Sequence, residues 1–220
     1  MPASPRIVLL HATPVAMEPV QAAFKELWPT PQLVNLLDDS LSPDRASEPT
    51  LTDAMIERFV RFGRYAHSIG ADGILVTCSA FGPAIDQMAA EFSVPVLKPN
   101  EAMFHAAVAQ GTKIGMLATF GPAVATMRDE FNEYVAQVGS PATLETVLVA
   151  DAMTALRAGD AATHNRLLAE KAPELTGVDT VMLAHFSTSR AQSAVQAVVS
   201  VPVLSAPGAA VRRMRELIEG

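Results

Sequence analysis

Two residues carry most of the chemistry this sequence offers. Cys78, the only cysteine of the chain, ends the run Asp72-Gly-Ile-Leu-Val-Thr-Cys78, and His185 ends the run Asp179-Thr-Val-Met-Leu-Ala-His185. A thiol and an imidazole make an acid/base pair, one group taking a proton and the other returning it. An ordinary thiol, with a pKa of about 8.5, is only slightly ionised at neutral pH, and roughly 2 kcal/mol separates it from full activation. A helix N-terminus beside the thiol supplies about 0.3 to 2 kcal/mol of that, so a second group has to help. A lone cysteine is commonly a small buried hydrophobe, but the strand-end position of Cys78 and its polar neighbours Thr77 and Ser79 favour a reactive thiol. For His185 the residues alone leave catalysis and substrate orientation equally open.

Other polar residues fall at similar positions. His11 and Thr13 follow the first apolar run, Ser79 follows Cys78, Thr119 follows the run that begins at Lys113, and Ser187 and Thr188 follow His185. All six are candidates to bind a substrate, although helix capping explains the hydroxyls and a satisfied core histidine explains His11 equally simply. His67, His105 and His164 fall on expected helices and read as surface groups. The histidines have neither H-x-x-x-H nor H-E-x-x-H spacing, so no metal site is expected. There is no G-x-G-x-x-G after a strand, no phosphate-binding G-x-x-x-x-G-K-[ST] and no G-x-S-x-G elbow. No cofactor is expected.

The elements that must position these residues come from an internal repeat. Arg6-Ile-Val-Leu-Leu-His-Ala12 resembles Lys113-Ile-Gly-Met-Leu-Ala-Thr119, 107 positions later. The same shift aligns Phe24 with Phe131, Asp72 with Asp179, Cys78 with His185, and Val94-Pro-Val-Leu97 with Val201-Pro-Val-Leu204. One offset fitting five places argues for duplication. Short apolar runs alternate with longer helical patterns, the sign of βαβ units and parallel sheets. Strands are expected near 6–12, 32–37, 73–78, 95–98, 113–118, 145–149, 180–185 and 202–205. The fold class is therefore α/β, with two pseudo-symmetric halves, each a parallel sheet flanked by helices, and a cleft between them. The first half, 1–105, carries Cys78; the second, 106–220, carries His185, with the C-terminal helix free to pack on the first half. Leu51 to Ile69 has helical spacing of Met55, Ile56, Phe59, Val60 and Phe62 opposite Glu57, Arg58, Arg61 and Arg64. The stretch Asp38 to Thr50, rich in Asp, Ser and Pro, reads as a loop.

Four expected strands run into helix-start chemistry: Thr13-Pro14, Gly82-Pro83, Gly121-Pro122 and Ser187-Thr188-Ser189. In parallel sheets ligands bind outside the carboxyl ends of strands, and the helix N-termini gathered there favour an anion such as a carboxylate.

Composition agrees. Half of the residues are apolar and 18% are charged, far from the balance of a disordered chain. A net charge of -7 leaves no basic surplus for nucleic acid or an anionic membrane, so a small-molecule partner is expected. The run Ile7 to Leu10 is too short for a signal segment or membrane span, which points to the cytoplasm. Apolar residues on helical surfaces are compatible with a homodimer.

Ile74-Leu-Val-Thr-Cys-Ser79 and Val181-Met-Leu-Ala-His-Phe-Ser187, each at a strand end, make the chain resemble the aspartate/glutamate/hydantoin racemase superfamily over nearly its whole length. The resemblance implies a cofactor-independent enzyme with two α/β domains and an active site in the cleft. In such racemases both strand-end positions hold cysteines, one removing the α-proton and the other reprotonating the opposite face. Here Cys78 matches the first and His185 replaces the second, so a racemase or isomerase of an amino-acid-like or hydroxy-acid-like carboxylate would use an asymmetric pair. The superfamily offers other readings: an arylmalonate-decarboxylase-like lyase, whose single cysteine sits in the second half, and a maleate-isomerase-like enzyme, whose first-half cysteine is a nucleophile. A carboxylate-binding protein without turnover is a third.

Overall fold

All eight expected strands form, and they fall into two sheets of four. The computed structural model describes residues 4–220, the side chains of 46, 122 and 123 excepted; the first three residues of the N-terminal segment lie outside the described residues. The chain divides into two units, one running to Asn100 and including Ala210–Gly220, the other Glu101–Ala209.

The first unit contains β1 (Arg6–His11), α1 (Met17–Leu27), β2 (Gln32–Leu37), α2 (Leu41–Ser47), α3 (Asp53–Ser68), β3 (Gly73–Val76), α4 (Gly82–Glu91) and β4 (Val96–Leu97). Its sheet has the order β2-β1-β3-β4, every pair parallel. The second unit contains α5 (Glu101–Val108), β5 (Lys113–Ala118), α6 (Gly121–Val138), β6 (Thr143–Leu148), α7 (Ala150–Arg157), α8 (Ala161–Lys171), β7 (Thr180–Leu183), α9 (Gln192–Gln196) and β8 (Val203–Ser205). Its sheet repeats the order as β6-β5-β7-β8, again all parallel. The last helix, α10 (Ala206–Glu219), ends in the first unit. There Trp28 Nε1 donates to Glu219 Oε1 (2.8 Å) and Met214 lies against Gly73, where a Cβ would come within 2.6 Å of its sulfur. Among the described residues no helix is long and apolar enough to cross a membrane.

The repeat extends to single hydrogen bonds. Asp72 Oδ2 accepts the backbone N–H of Arg6 (2.7 Å), and Asp179 Oδ2 accepts those of Thr112 (2.7 Å) and Lys113 (2.8 Å). Past the strand ends, Thr77 N–H donates to Leu10 O (3.0 Å) and Ala184 N–H to Leu117 O (2.9 Å). The backbone amides of Lys113 and Thr112 hold the Asp179 carboxyl below the usual carboxylate range. Gly111 leaves room for that carboxylate, since a Cβ there would lie 2.3 Å from Asp179 Oδ2.

The central strands are mostly apolar because both faces are covered; β3 and β7 are buried throughout. In the first unit α3 and α4 cover one face. The Thr52 hydroxyl caps α3 by accepting from Met55 N–H (3.3 Å), and Met55, Phe59 and Val60 face the core. Phe59 stacks on Phe81 at 4.4 Å, and Phe81 belongs to the 3-10 turn that follows Cys78.

Two expectations need correction. Residues 38 to 50 do not form a loop: Leu41–Ser47 is the helix α2. The local Asp, Ser and Pro composition is overridden by tertiary contacts. Arg58 of α3 donates to Asp38, Asp44 and Ser40 Oγ, each at 2.6 Å, and Leu41 is fully buried. Strand β6 starts at Thr143, two residues early, because an edge strand tolerates the alternation Thr-Leu-Glu that looked unlike a buried run.

Phe81 couples this packing to the turn after Cys78. Replacing Phe81 with alanine is expected to cost about 3–5 kcal/mol of unfolding free energy in urea denaturation, the range for a fully buried aromatic.

Candidate functional site

Parallel pairing puts the carboxyl ends of β1 and β3 at one edge of their sheet, and the ends of β5 and β7 at the matching edge of the other. Every candidate residue except His11, which ends β1 itself, lies in the few residues beyond those ends. Helical turns begin there. Thr13, Cys78, Phe81, Phe120 and Phe186 occupy their N-cap positions, and none makes a side-chain cap hydrogen bond. Gly82 and Gly121 are therefore the first helical residues rather than caps. Helix N-termini at these edges suit an anionic ligand.

In the first unit Cys78 has extended backbone (φ -129°, ψ 121°), is half-buried and packs against the α3/α4 core. Ser79 opens the following turn and is also half-buried, as is Thr13 after β1. His11 is fully buried within the sheet. Its Nδ1 lies 2.9 Å from Thr77 Oγ1 and its Nε2 3.0 Å from Asn35 Oδ1. Burial lowers the His11 pKa, and the bond to Asn35 only partly opposes this, so the ring is neutral at pH 7.

In the second unit the residues after β7 differ in backbone from their counterparts. His185 has φ 68°, the one non-glycine residue with positive φ among those described. Histidine tolerates this left-handed region better than most residues, yet such a conformation costs about 1–3 kcal/mol and persists where surroundings enforce it. Its Nε2 is buried with no hydrogen-bond partner, and burial pushes its pKa down to about 4. The ring is thus held neutral with one nitrogen unused. Thr119 and Thr188 are buried, with their hydroxyls 3.4 Å apart, and Ser187 is half-buried at the start of the turn.

The sequence-based assignment of His164 to the surface is wrong. It is fully buried on α8, with Nδ1 2.8 Å from Asn165 Oδ1 and Nε2 unpartnered, and burial lowers its pKa. Helical periodicity cannot place a polar residue on the covered face of a helix that packs on two neighbours. His67 and His105 are exposed, and His67 stacks on Phe92 at 4.9 Å. Asn35 was missed as a partner of His11, and Gln21 as a partner of Asn35. The signal was present: Asn35 is the one polar residue in Leu33-Val-Asn-Leu-Leu37, and a polar side chain on a covered strand needs a partner.

A family model for Asp/Glu/hydantoin racemases matches residues 10–214. Among solved structures, an allantoin racemase from Klebsiella pneumoniae superposes with a TM-score of 0.72 and 17% identity, over 98% of this chain and 88% of that one. A glutamate racemase isoform from Bacillus anthracis gives 0.71 and 16%, over 100% and 83%. An aspartate racemase homologue from Pyrococcus horikoshii gives 0.70 and 18%, over 98% and 99%. These likenesses establish the shared fold. No curated protein matches by sequence.

The His185 ring makes stability depend on pH. Its pKa falls from 6.5 unfolded to about 4 folded, so the unfolded chain binds the extra proton between those values. The associated stability, about 3 kcal/mol in full, is present above pH 6.5 and lost as pH falls through 4. His185→Asn removes the titrating ring but keeps a side chain tolerant of left-handed backbone. In urea unfolding, the variant should lose about 2 kcal/mol less than the wild type between about pH 7 and pH 4.5. His11 and His164 titrate in both proteins and cancel.

Proposed function

Since the chain belongs to the Asp/Glu/hydantoin racemase family, we propose that it moves the α-proton of a small carboxylic acid, amino-acid-like or hydroxy-acid-like, with Cys78 and His185 as the two acid/base groups. The observation that carries this reading is the state of His185: left-handed backbone, a buried and unpartnered Nε2, and a ring held neutral. A conformation that costs energy and leaves a buried nitrogen unsatisfied is maintained against two penalties, which suits a group reserved for a ligand.

In the resting protein Cys78 carries its proton and His185 carries none on the reactive nitrogen. The imidazole takes the α-proton, the electron pair of the broken C–H bond spreads onto the carboxylate, and the thiol gives its proton to the opposite face of the α-carbon. Thiolate and imidazolium result. Transfer of the proton from imidazolium to thiolate, directly or through water, restores the resting state. The opposite enantiomer is processed from the thiolate/imidazolium state by the same steps reversed. Backbone N–H groups at the helix N-termini beyond the strand ends, with the hydroxyls of Thr13, Ser79, Ser187, Thr119 and Thr188, serve the carboxylate and the charge that develops on it. His11 serves as support rather than as a direct contact, because both of its nitrogens are engaged.

The presence of one thiol in the whole chain favours a second reading. A decarboxylase of substituted malonates needs to protonate one face only, and one cysteine suffices for that.

Incubation of the protein in D2O with a library of α-amino and α-hydroxy acids, read by NMR, is expected to show deuterium entering the α-position of at least one acid, with both hands formed. Cys78→Ser and His185→Asn should each slow that exchange about 10²–10⁴-fold. CO2 release from substituted malonates without exchange would instead establish the lyase. Neither reaction across the library would leave a binding protein.

A further inference from the structure

We infer that Gln21, Asn35, His11 and Thr77 form a partly buried hydrogen-bond relay that positions the turn carrying Cys78, with His11 as its central positioning residue. The inference rests on the reading of Cys78 as the reactive thiol and adds the device that fixes it.

The relay crosses three adjacent strands. Gln21 of α1 donates through Nε2 to Asn35 Oδ1 on β2 (2.9 Å), which also lies 3.0 Å from His11 Nε2 on β1. His11 Nδ1 lies 2.9 Å from Thr77 Oγ1, just beyond β3 and adjacent to Cys78 in sequence. The polarity of these bonds follows from the ring's charge. With Asn35 Oδ1 accepting from both Gln21 and His11, the proton of the neutral ring sits on Nε2. Nδ1 is then an acceptor, and the single hydrogen of the Thr77 hydroxyl is shared between it and Leu10 O. Thr77 N–H meanwhile donates to Leu10 O (3.0 Å), and Thr77 Oγ1 lies 3.2 Å from the same oxygen. The residue before Cys78 is therefore held to β1 by main chain and side chain together.

The second unit provides an internal control. The duplication places Ala118 where His11 stands, Ala184 where Thr77 stands, and, by strand register, Thr146 where Asn35 stands. The backbone bond from Ala184 N–H to Leu117 O is still made. The fold thus closes this strand end without any relay, and the relay is an addition confined to the unit that carries the thiol. A buried histidine with both nitrogens engaged and neighbours of matched polarity is a poor space-filler where alanine serves in the sister unit. What it adds is a fixed direction for the chain leaving β3.

The test is the alkylation rate of Cys78 by iodoacetamide at pH 7 in the native full chain, where the single cysteine makes the label unambiguous. Thr77→Val removes the hydroxyl at constant shape; Thr77→Ser keeps it; Gln21→Met cuts the relay at its far end and leaves the strands untouched. The relay predicts that Thr77→Val labels at least about fivefold more slowly than wild type, that Thr77→Ser stays within about twofold, and that Gln21→Met shows a smaller loss in the same direction. Unfolding midpoints measured alongside separate positioning from general loss of structure, because Thr77→Ser and Thr77→Val must then differ in labelling under conditions where both remain folded. Equal labelling of wild type and the Val variant, or equal loss in Val and Ser, would overturn the relay while leaving the assignment of Cys78 intact. Labelling of wild type only on unfolding would overturn that assignment and this inference with it.

Discussion

The architecture depends on one repeated restraint, the carboxylate of Asp72 or Asp179 gripping the amides at the start of the neighbouring central strand. A parallel pair of strands has evenly spaced bonds and can slip by two residues without reversing its faces. A carboxylate at the entrance of one strand that accepts from the entrance of the next removes that freedom. Once β1 and β3, or β5 and β7, are in register, their exits are in register too. The positions of Cys78 beside the end of β1, and of His185 beside the end of β5, follow from contacts made at the opposite edge of each sheet.

Above that shared frame the two units have diverged in an ordered way. In the first unit the polar pair at the strand ends is His11 with Thr77, and the next positions, Ala12 and Phe81, are apolar. In the second unit Ala118 and Ala184 replace the polar pair, and Thr119 with Thr188 replace the apolar one. The first pair reaches Gln21 of α1 through Asn35, whereas the second lies beyond the strand ends with the turn that follows His185. The two strand exits are thus polar at different positions of the repeat. Buried polar groups of this kind stabilise only when fully matched, which explains why each pair is complete within its own unit.

Much of this was legible in the sequence. Eight strands, their apolar runs and the 107-residue repeat follow from periodicity because strands buried on both faces have little compositional freedom. The candidate residues followed from the repeat, since strand exits in parallel sheets face one edge. Three things were not legible. Helix α2 formed where local residues favour turns, because Arg58, far along the chain, gathers Asp38, Ser40 and Asp44. His164 was placed on a wet face because one helix shows its own period but not how many neighbours cover it. The partners of His11 come from β2 and from just beyond β3, and hydrogen bonds between segments distant in sequence leave no spacing to read. Asn35 alone signalled the network by being polar in an apolar run.

The residue at the second strand end differs from its counterpart in the first unit in backbone as well as in side chain. Cys78 is extended, as a residue leaving a strand ordinarily is, whereas His185 at the equivalent position turns left-handed. A small thiol reaches only a short distance from its Cα and can sit on a continuing strand. An imidazole carries its nitrogens several bonds further out, so the same backbone direction would send its polar atoms to a different place. Rotating the backbone through the left-handed region redirects the longer side chain. Histidine is among the few residues with a branched, bulky side chain that enter this region with tolerable frequency. The left-handed backbone, the unsatisfied Nε2 and the lowered pKa thus occur together at a residue whose side chain differs in reach from its counterpart in the first unit.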